Sequence, residues 1–109
     1  MSKATTESIV EYIYSVLECK EAQTKPIIKK FMSDIKLFDK KQHDYGPHSI
    51  GKFGTTGVLV RSSDKLERLI NLYKRGENPE VAEPITETWQ DISVYGAIAR
   101  VCEDDEWLS

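Results

Sequence analysis

The sequence predicts an all-α protein on three observations. Apolar residues recur at three- and four-residue intervals in four separate stretches, glycine and proline fall between those stretches, and no two strand-like runs pair across a turn. The expected architecture is a four-helix bundle in a single helical domain, 1–109, with residues 1–40 serving packing or assembly, 41–99 carrying the chemistry and 103–109 forming an acidic tail. A chain of 109 residues has room for one small core. Its apolar share of 39% is low and its charged share of 30% high, a balance found in thin helical proteins whose remaining apolar surface is covered by a twin subunit. A homo-oligomer is therefore expected.

The first helix is expected from Thr6, as N-cap, to about Glu21, because Ile9, Val10, Ile13, Val16 and Leu17 keep helical spacing. Pro26 suits the first turn of a second helix, with Ile28, Phe31, Met32, Ile35 and Phe38 inward and Lys29, Lys30, Asp34 and Lys36 outward, stopping by Gly46-Pro47. Four glycines and a proline between Asp44 and Gly57 mark an irregular loop of the kind that brings backbone amides to a ligand. Gly57-Val58-Leu59-Val60 is strand-like in composition but runs directly into Leu66, Leu69, Ile70 and Tyr73 at helical spacing, so it reads as the start of helix three. Gly76 and Pro79 end that helix, after which Pro84 opens a fourth with Ile85, Trp89, Ile92, Tyr95 or Gly96, and Ala99 inward. The small Gly96 and Ala97 would admit another helix closely.

A net charge of −3 argues against broad nucleic-acid binding, which relies on a basic face. No apolar run approaches the roughly 18 residues of a membrane span, and Met1 to Ser8 is too polar for a secretory signal. Cys19 and Cys102 lack paired zinc spacing and read as structural free thiols of a reducing compartment. A cytoplasmic protein is expected. The tail Glu103-Asp104-Asp105-Glu106 reads as a solvated end, with Trp107 and Leu108 available to dock on a partner subunit.

Three groups of residues carry candidate chemistry. Asp64 and Glu67 share one helix face with Arg61 and Arg68, a pattern that ordinarily makes a solvated ion-pair surface. Glu83, Glu87 and Asp91 stack every four residues, and such a row repels itself unless a divalent cation or basic side chains such as Arg61, Lys65 and Arg68 neutralise it. Lys41, His43, Asp44 and Tyr45 combine cations, a proton carrier and a ring, a mix able to grip phosphate and stack a base. Lys and His also suit a helix C-terminus, and Asp-Tyr-Gly an ordinary turn. There is no second His–Asp set for a metal-dependent phosphohydrolase, no P-loop, no dinucleotide fingerprint and no nucleophile elbow.

The segments KKQHDYGPHSIGKFGTTGVLVRSSDKLERLINL and EPITETWQDISVYGAIA resemble the phage and bacterial family called nucleotide modification associated domain 1. That family carries Lys-x-His-Asp-Tyr-Gly, Phe-Gly-x-x-Gly-Val-Leu-Val-Arg and Asp-Lys-x-x-Arg-Leu elements followed by an acidic final helix. Lys41, His43, Asp44, Tyr45, Phe53, Gly54, Arg61, Asp64, Lys65, Arg68, Glu83, Asp91 and Tyr95 stand at its motif positions. The final helix departs from the pattern, with Ala82-Glu83-Pro84 for Asp-Glu-Ser and Glu87-Thr88 for Asp-Thr. More distantly, paired acids on consecutive helices are similar to the MazG-like all-α nucleoside triphosphate pyrophosphohydrolases.

The resemblance implies a nucleotide-binding phage protein of the host cytoplasm that hydrolyses a nucleoside triphosphate to monophosphate and pyrophosphate. Asp64, Glu67, Glu83, Glu87 and Asp91 would be candidate Mg²⁺ ligands, with Asp64, Glu87 and Asp91 closest to the chemistry. Lys41, Arg61, Lys65 and Arg68 would hold phosphate, and Tyr45, Phe53 or Tyr95 would stack on the base, with His43 and Asp44 beside them. The alternative is a non-catalytic sponge that sequesters a nucleotide or cyclic-nucleotide signal of antiviral defence, a role that needs cations and aromatics more than metal ligands.

Overall fold

A computed structural model describes residues 4–76 and 78–107. Four helices account for the regular structure, with no strand among the described residues: α1 (Thr6–Val16), α2 (Thr24–Tyr45), α3 (Gly54–Arg75) and α4 (Ile85–Glu103). No helix is long and apolar enough to cross a membrane among the described residues. Glu77, in the charged turn, and Leu108, expected to dock, lie outside the described residues.

The helix ends follow local chemistry. α1 is capped by Thr5, one residue before the expected Thr6: the Thr5 hydroxyl accepts from the Ser8 amide at 3.0 Å. The Ser8 hydroxyl in return accepts from the Thr5 amide at 3.0 Å, so two otherwise orphaned donors are satisfied together. α1 stops at Val16, five residues short of the expected end, because Glu18 turns left-handed at φ 54°. Sequences usually mark that turn with Gly or Asn, and Glu gives no such sign. α2 ends at Gly46, whose amide reaches the Gln42 carbonyl at 2.8 Å. Gly76, at φ 68° and ψ 24°, closes α3 in the left-handed conformation that glycine adopts without steric cost. Pro84 stands at the N-cap of α4 rather than inside its first turn.

α4 is the central element. It pairs most extensively with α3 and also with α2, whereas α1 packs on α2 alone; among the described residues α2 and α3 make no close backbone approach to each other. α1 and α2 run antiparallel, joined by Glu11 to Lys25 at 2.9 Å and Glu7 to Lys29 at 3.8 Å, with Val10 and Ile28 buried. The layout is open: the Cα radius of gyration is 16.2 Å, against about 13 Å for a compact chain of this length.

The apolar core is correspondingly small. Val10, Ile28, Val58, Leu69, Leu72 and Ile98 are its buried members. Two helices are rotated from their expected phase. On α2, Phe31 and Ile35 are exposed while Asp34, expected outside, is buried. On α4 the buried positions are Thr88, Asp91 and Ile98, whereas Trp89 is half exposed and a Cβ at Gly96 would meet nothing within 4 Å, so no described helix of this chain packs on that small-residue site.

The loop between α2 and α3 is held by the chain's own Trp107. The indole Nε1 donates to the Pro47 carbonyl at 2.8 Å, and the ring stands edge-on to Phe38 with centroids 6.2 Å apart. Gly51 lies directly beneath it, where any Cβ would overlap the indole.

Candidate functional site

The α2 face Asp34, Leu37, Phe38, Lys41, Gln42 and Tyr45 follows the i, i+3, i+4, i+7 pattern of one side of a helix. It faces residues of α3 and α4 across a cleft of about 500 Å³, within the range of small-ligand sites. α3 supplies Arg61, Asp64 and Lys65, one helical side at spacings of three and four. α4 and the segment leading into it supply Glu83, Glu87, Asp91 and Tyr95, and the α2–α3 loop adds Ser49 and Ile50.

At the junction of the three helices lies an alternating chain of charges. Asp91 receives Lys41 of α2 on Oδ1 at 2.8 Å and Lys65 of α3 on Oδ2 at 3.0 Å. Lys41 also reaches Glu87 at 3.1 Å, and Lys65 reaches Glu83 at 3.1 Å. Arg68 contacts the Glu83 carboxylate at 3.0 Å and donates to the Glu83 backbone carbonyl at 2.7 Å. The fully buried Thr88 hydroxyl accepts from Arg68 and donates to Glu83 at 2.7 Å. Only Glu87 and Asp91 of the expected row lie on α4, since Glu83 precedes its N-cap Pro84; all three acids are neutralised by side chains, Lys65 and Arg68 as the sequence suggested and Lys41 in the place foreseen for Arg61.

Titration behaviour reflects this chain. Burial pushes the Lys41 and Lys65 ammonium groups down, but hydrogen bonds and charge from Asp91, with Glu87 or Glu83, outweigh it and hold both above the usual 10.5. Burial likewise raises the Glu83 carboxyl, yet Thr88, Lys65 and Arg68 together hold it below its usual 4.5. The Tyr95 phenol is raised above 10.0, by burial and then by the Asp91 charge, so its hydroxyl stays a donor at neutral pH.

Arg61 and Asp64 stand apart from this lattice. The Arg61 guanidinium donates to the Ser49 carbonyl at 3.2 Å and has no carboxylate partner among the described residues, leaving further N–H groups for an anion. Asp64 is exposed at the cleft and has no ion-pair partner among the described residues. Of the expected magnesium ligands, Glu83, Glu87 and Asp91 hold ammonium or guanidinium groups, Glu67 is exposed and off the cleft, and Asp64 alone lines the cleft without an ion pair among the described residues.

Of the residues singled out from sequence, Lys41, Tyr45, Arg61, Asp64, Lys65, Glu83, Glu87, Asp91 and Tyr95 line the one cleft. Arg68 sits behind Glu83 as its anchor. His43 and Asp44 line a separate, shallower depression with Asp39 and Lys40. Phe53 is 72% exposed, its ring beside Lys52. Sequence reasoning missed Asp34, Gln42, Thr88 and Gln90; the α2 spacing from Asp34 to Tyr45 was the available signal for two of them. The half-buried Cys19 and Cys102 are free thiols, as expected. No family profile, curated protein or solved structure matches the chain.

Asp91→Asn is expected to strand two lysine charges and lower the unfolding free energy by about 2–3 kcal/mol, read from urea denaturation. The pH profile follows from the signs. Because the folded Glu83 carboxyl is depressed, its contribution is present above pH 4.5 and is lost as the pH falls through its lower folded value. The raised Lys41 and Lys65 contribute fully below pH 10.5 and lose that contribution as the pH climbs through their folded values. Thermal melts against pH should show a neutral plateau with both flanks; Glu83→Gln should remove its own share of the acid flank and, through Lys65, shrink the alkaline flank as well.

Proposed function

We propose that the cleft binds a phosphorylated nucleotide. The observation that carries this reading is the convergence of Lys41, Arg61, Lys65, Tyr45 and Tyr95 from three helices on one hollow of ligand size. Arg61 is the primary phosphate contact, since its guanidinium is free of carboxylates and a planar fork suits phosphate oxygens. Lys41 and Lys65 add positive charge from within the lattice, and Tyr45 at the rim and the half-buried Tyr95 offer rings and hydroxyl donors. The motif resemblance to nucleotide modification associated domain 1 points the same way. Tight holding without turnover, as in sequestration of a nucleotide or cyclic-nucleotide defence signal in a host cytoplasm, fits carboxylates that are already neutralised.

Mg²⁺-dependent hydrolysis to monophosphate and pyrophosphate is the second reading, favoured by Asp64, a free carboxylate on the same cleft as Glu87 and Asp91. It requires that a lysine yield its place on Asp91 or Glu87. Incubation with a nucleotide panel, with and without magnesium, followed by heat release distinguishes the two: intact ligand marks sequestration, monophosphate plus pyrophosphate marks hydrolysis. Arg61→Ala should weaken retention about tenfold or more in either case, and Asp64→Asn should stop pyrophosphate release while retention survives. A wild-type protein that neither holds nor cleaves any nucleotide removes both readings.

Assembly is part of this proposal. Ile27, Phe31 and Ile35 form an exposed stripe at four-residue spacing on α2, and Ile9, Tyr12 and Val16 another on α1. A second copy covering these stripes accounts for the low apolar content and open layout of the single chain. Sedimentation equilibrium tests it: Phe31→Glu should shift a dimer or larger species to monomer, and a wild type that is monomeric at every concentration excludes it.

A further inference from the structure

Asp34 has no place in the charge lattice, and its surroundings are unlike those of the other acids on the cleft. It is only 7% exposed. Its Oδ2 accepts one hydrogen bond, from the Ser93 hydroxyl at 2.8 Å, and no cation pairs with it among the described residues. A carboxylate offers about four acceptor positions, so most of this one's capacity is unused. Glu83, Glu87 and Asp91 are compensated by Lys or Arg and Asp64 is exposed; Asp34 lines the cleft with no cation on it among the described residues, and its remaining acceptor capacity opens only toward the cleft. A buried carboxylate in that condition is costly unless donors reach it.

The α2 face sets what those donors can be. Lys41 stands two turns further along the same face, about 10 Å on, a span like that between a nucleotide's 5′-phosphate and the Watson–Crick edge of its base. Leu37 and Phe38 lie between the two, and Val94 follows Ser93 on α4. An apolar, ring-bearing wall suits a flat heterocycle and not a sugar diol. Among the bases, guanine alone presents two adjacent donors, N1–H and the 2-amino group, matched to the two oxygens of a carboxylate. Adenine and cytosine set one amino group beside a ring acceptor, and uracil sets its N–H between two carbonyls, so each would bring lone pairs against Asp34.

Resting on the nucleotide reading of the cleft, we propose that Asp34, held in place by Ser93, selects a guanine nucleotide by accepting its N1–H and 2-amino donors. The contact sets specificity, while Arg61 and the lysines hold phosphate whatever the base.

Equilibrium binding without magnesium tests this with GTP, ITP, ATP, dGTP and inorganic tripolyphosphate. ITP lacks only the 2-amino group, so wild type should prefer GTP over ITP by about tenfold, and over ATP by more. Asp34→Asn should bring GTP and ITP within about twofold of each other and leave tripolyphosphate unchanged. Ser93→Ala supplies the contrast: were Asp34 only a tie between α2 and α4, both variants would lower stability and weaken every nucleotide alike, with the GTP-to-ITP ratio preserved. That preserved ratio overturns the assignment, as does a wild type indifferent to base. A large loss with dGTP would transfer the contact to the sugar and overturn it too. Binding of tripolyphosphate but of no nucleotide would instead bring down the nucleotide reading itself, and the base assignment with it. The GTP-to-ITP comparison on unaltered protein needs no variant to fold.

Discussion

A single carboxylate joins the three long helices. Asp91 offers one oxygen to Lys41 on α2 and the other to Lys65 on α3, and those two helices have no close approach of their own. With six apolar side chains buried among the described residues, the relative placement of the helices depends on this contact more than a well-filled core would allow. Such a lattice is asymmetric in energy. Forming it stabilises modestly after desolvation, whereas removing one member leaves its neighbours charged, sheltered and unmatched. Glu83, Thr88 and Arg68 extend it to the start of α4, so the segment leading into that helix is fixed by the same interactions.

This explains which parts of the molecule could be read from the chain. The four helices follow from apolar periodicity, and Gly46 and Gly76 end α2 and α3 where their conformational freedom is needed. Rotational phase was less accessible. Periodicity assumes that the buried side is the apolar side, but on α4 the buried positions include Thr88 and Asp91 beside Ile98, and the partners of the two polar ones come from α3 and from α2 and α3. Asp34 is the same case on α2: it reads as a surface acid until Ser93, 59 positions away, is brought against it.

The site was legible to a similar depth. The four-residue spacing of Glu83, Glu87 and Asp91 announced a row needing neutralisation, but Lys41, 50 positions from Asp91, could be assigned to it only through the fold. The cluster from Lys41 to Tyr45 divides for a simple reason. It is the last turn of α2, where residues four apart share a side and residues one or two apart do not, so Lys41 and Tyr45 face the cleft while His43, two positions from each, turns with Asp44 to the other depression. Glu18 and Thr5 show the remaining gap, since a left-handed glutamate and a one-residue shift of a cap between adjacent threonines leave little trace in sequence.

The gap between α2 and α3 is bridged by lysine arms rather than by interdigitated hydrocarbon. Lysine is long and flexible, with a point charge that tolerates changes of angle. An opening spanned in this way can widen or narrow by torsional adjustment about single bonds, with no jigsaw of packed side chains to rebuild. Its aperture therefore depends on the extension of two side chains as well as on how α2 and α3 each pack on α4.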